Sequence, residues 1–114
     1  MLTNTDMAHC LLRQHVTRSE FLLPLGSISE VSWHILLHIY SAESMGGIAL
    51  GSLTRALEMD MRALKRYITV LESLEYLEPV QVKFESVRLR PSKKSAMDYI
   101  LHSIAQDMMS LGDA

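Results

Sequence analysis

Apolar residues recur at three- and four-residue spacing along most of this chain, and the places where that spacing fails divide it into elements. Met7, Leu11, Leu12, Val16 and Phe21 follow the helical period, which predicts an amphipathic helix over about 6–21 with Thr5 or Asp6 as its cap. Leu23-Pro24-Leu25-Gly26-Ser27 interrupts the pattern. Ser29 and Glu30 then open an apolar run from Val31 to Tyr40, and a second helix is expected over about 29–41. It must end before Ser44-Met45-Gly46-Gly47, because each glycine inside a helix costs about 1 kcal/mol relative to Ala. Leu50, Leu53 and Leu57 predict a short third helix and Glu58-Met59-Asp60 a turn, whose aspartate is a good N-cap for a fourth.

That fourth helix, over about 61–74, carries Leu64, Ile68, Leu71 and Leu74 on one stripe and Arg62, Lys65, Arg66 and Thr69 away from it, which makes it basic and amphipathic. The period then drops to two. Leu77, Val80, Val82 and Phe84, then Val87 and Leu89 alternating with Arg88 and Arg90, predict two antiparallel strands around a very short turn near Glu85-Ser86. Pro79 is tolerated near the start of the first strand. Pro91-Ser92 breaks the second, and Ala96, Tyr99, Ile100, Ile104, Met108 and Leu111 trace a last helix to about residue 111. There is no internal repeat and no low-complexity tract.

Three helices, a tight turn, a basic helix, a hairpin and a closing helix form the order of a winged helix-turn-helix, in which the second helix of the motif enters the major groove. The expected fold is therefore mainly α, of the α+β kind, with a short two-stranded wing. With 114 residues and 48% hydrophobic content the chain supports one domain, 1–114, comprising an N-terminal helix in 1–26, a core in 29–91 and a C-terminal helix in 92–111. No stretch approaches the roughly 20 apolar residues of a membrane span, and MLTNTDMAHC lacks the features of a signal peptide, so a soluble cytoplasmic protein is expected. The lone Cys10 fits, since one cysteine forms no internal disulfide.

Net charge is only -2, but it is unevenly spread. Residues 1–61 hold three Lys/Arg against six Asp/Glu, residues 62–94 eight against four, and residues 95–114 none against three. All the positive excess lies in one segment, as expected of a face that meets phosphates.

From Leu57-Glu58-Met59-Asp60-Met61 through Leu71-Glu72 to Tyr76-Leu77, the sequence resembles the recognition-helix pattern of the MarR family: an apolar-x-apolar-Asp turn, then apolar positions ending in Leu-Glu and an apolar pair. Trp33-His34-Ile35-Leu36 resembles that family's Trp-x-Ile-Leu helix, and Val87-Arg88-Leu89-Arg90-Pro91 its strand out of the wing. The likeness covers roughly residues 29–99. It departs at Glu75, where the family usually has Gly, and at the wing, which lacks the long Asp/Arg-rich tip. The resemblance implies a homodimeric bacterial transcriptional regulator that binds double-stranded DNA, its two terminal helices forming the dimer interface through Met7, Leu11, Ile100, Ile104, Met108 and Leu111. It puts Arg62, Lys65, Arg66 and Thr69 at base edges and phosphates. Lys83, Arg88, Arg90, Lys93 and Lys94, which flank the hairpin, are expected at the phosphate backbone.

Other side chains carry competing readings. Tyr67 is either a packing residue or a DNA-surface residue, and Trp33 belongs to the core. His34 and His38 stand four apart, a spacing able to share a metal ion, but no local Glu or Cys completes a site. Cys10 resembles the N-terminal thiol of peroxide-sensing relatives, against the ordinary alternative of a buried inert thiol. No nucleotide-binding glycine pattern, nucleophile elbow or H-E-x-x-H motif is present, so the expectation is no enzyme and no cofactor, and a small-molecule effector stays unassigned. The rival reading is a winged helix used for protein contacts that has lost DNA binding, favoured by Glu72, Glu75, Glu78 and Glu85.

Overall fold

Thr3, rather than Thr5 or Asp6, starts the first helix. In the computed structural model, which describes residues 3–79 and 86–112 apart from the side chains of 111 and 112, helix α1 spans Asn4–Leu22. Thr3 Oγ1 accepts the Asp6 N–H at 3.0 Å while the Asp6 carboxylate accepts the Thr3 N–H at 3.1 Å. This reciprocal pairing satisfies helix-start donors and places Asp6 inside the first turn instead of at its edge. The break around Pro24 is a pair of 3-10 turns within Leu23–Ile28, kinked at Gly26 with φ +54°, and it leads into α2, Ser29–Ser41, the bounds that sequence predicts.

After a 3-10 turn at Glu43–Met45, Gly46 and Gly47 adopt φ of +88° and +117° and lead into strand β1, Ile48–Ala49, which no period announces. Helix α3 spans Leu50–Leu57 and α4 spans Met61–Ser73, joined by residues 58–60. Both helices end alike. The Met59 N–H reaches the Thr54 carbonyl at 3.0 Å and the Glu58 N–H reaches Arg55 at 3.4 Å; Tyr76 reaches Leu71 at 2.9 Å and Glu75 reaches Glu72 at 3.0 Å. These are Schellman pairings, which require one residue in the left-handed region. Glu58 at φ +51° and Glu75 at φ +64° occupy positions where glycine is usual.

Strand β2, Ser86–Val87, pairs antiparallel with β1, Ile48 opposite Val87 and Ala49 opposite Ser86. Ser86 is thus strand rather than turn, and β2 has a partner that the hairpin reading did not foresee. Leu77 and Leu89 form an antiparallel bridge, flanked by Glu78 N–H to the Arg88 carbonyl at 2.9 Å and Arg90 N–H to the Tyr76 carbonyl at 3.0 Å. The predicted strand positions Val80, Val82 and Phe84 and the tip residue Glu85 lie outside the described residues. Gly47 crosses so close to β2 that a Cβ there would stand 2.8 Å from the Val87 carbonyl oxygen.

Pro91 begins α5, Pro91–Gly112, instead of merely ending the strand. At a first helical position its missing N–H removes no bond. Helix α5 lies along α1, where Arg13 Nε donates to both Asp107 oxygens at 2.9 and 3.0 Å. It meets α2 where the Tyr40 hydroxyl donates to Asp98, which also receives Lys94 Nζ at 3.2 Å. One core joins these elements: Trp33, Ile35, Leu36 and Ile39 from α2, Leu53 from α3, Leu64, Ile68 and Leu71 from α4, then Tyr76, Leu77, Val87, Leu89, Met97 and Ile100. Among the described residues the fold is mainly helical, with a small two-stranded antiparallel sheet. No described helix is long and apolar enough to cross a membrane.

Because a left-handed backbone costs a non-glycine residue about 1–2 kcal/mol, Glu75→Gly is expected to stabilise the protein by about 1 kcal/mol, while Gly47→Ala destabilises it by about 2 kcal/mol or more, both read by denaturant unfolding. A second expectation concerns acid. Hydrogen bonds from Tyr40 and Lys94 hold the Asp98 carboxyl below its ordinary value, and those from the Thr3 backbone and hydroxyl do the same for Asp6. A depressed folded pKa contributes stability that is fully present above the unfolded value near pH ~4 and disappears as pH falls through the folded one. Thermal unfolding between neutral and strongly acidic pH should therefore show a smaller acid-side loss in Asp98→Asn than in the wild type.

Candidate nucleic-acid interface

Three buried residues decide where the polar face of α4 points. With Leu64, Ile68 and Leu71 turned into the core, Arg62, Lys65, Arg66 and Thr69 fall at helical spacing on the opposite side, and all four are exposed. Asp60 fixes the start of this surface, its carboxylate accepting the Arg62 N–H at 3.0 Å. The four residues, with Asp60 and Met61, line one open hollow. Among the described residues, Arg62, Lys65 and Arg66 form no ion pair. The Asp60 carboxylate occupies the positive end of the α4 dipole, so attraction for an anion here comes from the side-chain cations. Thr69 is less free than its exposure suggests: its hydroxyl donates to the Lys65 carbonyl at 2.8 Å, leaving only acceptor capacity.

The cations assigned to the hairpin flank sit differently. Arg88 Nη2 lies 3.5 Å from a carboxylate oxygen of Glu43, whose side chain is 8% exposed and whose other oxygen accepts the Leu89 N–H at 2.9 Å. Arg90 Nε donates to the Leu77 carbonyl at 3.1 Å, reinforcing the bridge. Lys93 Nζ stands 4.6 Å from the centre of the Tyr76 ring and 5.9 Å from that of Phe21. These three side chains are thus engaged within the chain, because the strands and the start of α5 need partners of their own. Lys94 is shared with Asp98, and Lys83 lies outside the described residues.

Glu43 was not legible as a partner for this region, being 46 residues from Leu89. A second hollow of about 310 Å³ beside the cationic face is lined by Ile28, Ala63, Arg66, Tyr67 and Val70. Tyr67 serves both descriptions, half-buried against the core while lining this hollow. Trp33 is in the core, edge-on to Phe21 with ring centres 6.2 Å apart and with the Arg18 guanidinium 5.7 Å above it. Cys10 is buried, its Sγ accepting from Gln14 Nε2 at 3.4 Å. His34 and His38 line an open depression with Leu37, Ser41, Ala56 and Leu57, and no group of three metal-ligating side chains occurs among the described residues.

Of the expected interface residues on the terminal helices, Met7, Leu11 and Met108 are exposed, Ile104 is half-buried, and Ile100 is buried within its own chain. The Leu111 side chain lies outside the described set. Leu12, Val16, Tyr99 and Met109, which are not among the expected interface residues, are also exposed on α1 and α5. No family model, curated protein or solved structure matches the chain.

The buried Glu43 carboxylate and the half-exposed Arg88 should separate cleanly by mutation. Glu43→Ala leaves the Leu89 N–H without its charged acceptor and is expected to cost about 2 kcal/mol. Arg88→Ala should cost less than about 1 kcal/mol, as for other solvent-screened ion pairs. Urea midpoints of both variants measure the contrast.

Proposed function

We propose that this protein is a dimeric, sequence-specific DNA-binding transcriptional regulator of winged-helix type, with α4 in the major groove. The observation that carries the reading is the exposed cluster of Arg62, Lys65 and Arg66, without an ion pair among the described residues, on the first half of a helix whose opposite stripe is locked into the core. A rigid helix presenting guanidinium groups suits guanine O6 and N7, the commonest specific contact. The short turn before α4 and the strand pairing after it are compatible with the winged-helix arrangement. Exposed Met7, Leu11 and Met108 support association through α1 and α5, which would bring two copies of α4 to a two-fold-symmetric site. Since Arg88, Arg90 and Lys93 have partners within the chain, α4 carries the larger share of the affinity on this reading.

The alternative, a winged helix that contacts protein, draws on the apolar hollow of Ile28, Ala63, Tyr67 and Val70. Selection from random-sequence duplexes at two salt concentrations separates the two. An enriched palindrome is expected, with Arg62→Ala weakening it by about 1–3 kcal/mol if Arg62 reads a base. If Lys65 meets phosphate, Lys65→Ala lowers the slope of log affinity against log salt by about 1. Absence of enrichment, with neither substitution having any effect, would favour the protein-contact reading.

A further inference from the structure

Tyr76 stands three residues beyond the end of α4, is 1% exposed, and is hydrogen-bonded in three directions. Its N–H caps α4 at the Leu71 carbonyl, its carbonyl accepts the N–H of Arg90 just before α5, and its hydroxyl donates to the Phe21 carbonyl in the last turn of α1. Carbonyls at a helix C-terminus lack regular partners, and Pro24, three residues beyond Phe21, has no N–H to offer. The Tyr76 and Phe21 rings meet edge to face with centres 5.2 Å apart, and Lys93 covers the outer face of Tyr76. Burial pushes the phenol above its ordinary value, which already leaves the hydroxyl protonated and able to donate at neutral pH.

We infer that the Tyr76 hydroxyl is a positioning contact that fixes the direction of the α1–α5 pair relative to α4. Resting on the regulator reading, the same contact sets how far apart a dimer holds its two copies of α4. The ring alone fills space. The hydroxyl, aimed at one carbonyl of another helix, selects one orientation among those that ring packing would allow.

The test removes only the hydroxyl. Spin labels at Thr5→Cys on α1 and Lys65→Cys on α4, in a Cys10→Ala background and diluted with unlabelled chains, report the α1–α4 distance distribution by pulsed electron resonance. Tyr76→Phe is expected to keep cooperative thermal unfolding but broaden that distribution, whereas Tyr40→Phe, which removes a hydroxyl between α2 and α5, leaves it unchanged. A distribution in Tyr76→Phe identical to the wild type, or equal broadening in both variants, overturns the inference. If Tyr76→Phe does not fold, Pro24→Ala gives residue 24 an N–H that competes for the Phe21 carbonyl, and an unbroadened distribution there overturns it as well. The distance measurement contains no DNA, so it is decided separately from the regulator reading. Where selection yields a palindrome, inserting one base pair between half-sites should weaken wild-type binding by about tenfold, and that discrimination should shrink in Tyr76→Phe. Broadening without any enriched duplex leaves the junction standing and removes the regulator reading.

Discussion

The burial of Leu64, Ile68 and Leu71 along one side of α4 is the constraint on which the other assignments depend. Each such side chain contributes roughly 1.5–3 kcal/mol when removed from water, far more than a solvent-screened charge pair on the opposite face. Core packing therefore fixes the rotation of α4, and the cations go where the helical period leaves them. Asp60 fixes where the helix begins, and the Schellman pairing after Ser73 fixes where it ends. The direction of this surface is thus set by the buried stripe on the other side of the helix and not by the cations themselves.

The segment after α4 uses its charge in a different manner. Arg88, Arg90 and Lys93 are close in sequence to the α4 cations, yet a buried carboxylate, a backbone carbonyl and two aromatic rings engage them. Among the described residues, the positive charge of this segment thus falls into two populations. One faces solvent on a rigid helix, and the other fastens the strands and the start of α5 to the rest of the fold. Counting charge along the chain cannot separate them, because the partners of the second group come from α1, the turn after α2 and the segment after α4.

Legibility in the sequence tracked the range of the interaction responsible. The limits of α2 and the Asp60 cap of α4 were readable because a helix period and a capping residue act over a few positions. The four exposed α4 residues were readable for the same reason. The start of α1 was misplaced by two or three residues because Thr3 and Thr5 both precede plausible turns, and the reciprocal bond between Thr3 and Asp6 selects the first. Strand β1 is too short to show a period of two, and it exists through its pairing with β2, far along the chain. Ile100 fits the apolar stripe of α5 equally well as an interface or a core residue, and only the packing against the other elements decides that it is buried.

Arg90 donates its N–H to the Tyr76 carbonyl while its own carbonyl accepts the N–H groups of Lys93 and Lys94, so this one residue joins the Leu77–Leu89 bridge directly to α5. The closing helix is consequently geared to the sheet rather than hung from it. Because Arg13 and Tyr40 tie that 22-residue helix to α1 and α2, a shift of the strand segment would be passed on to those helices too.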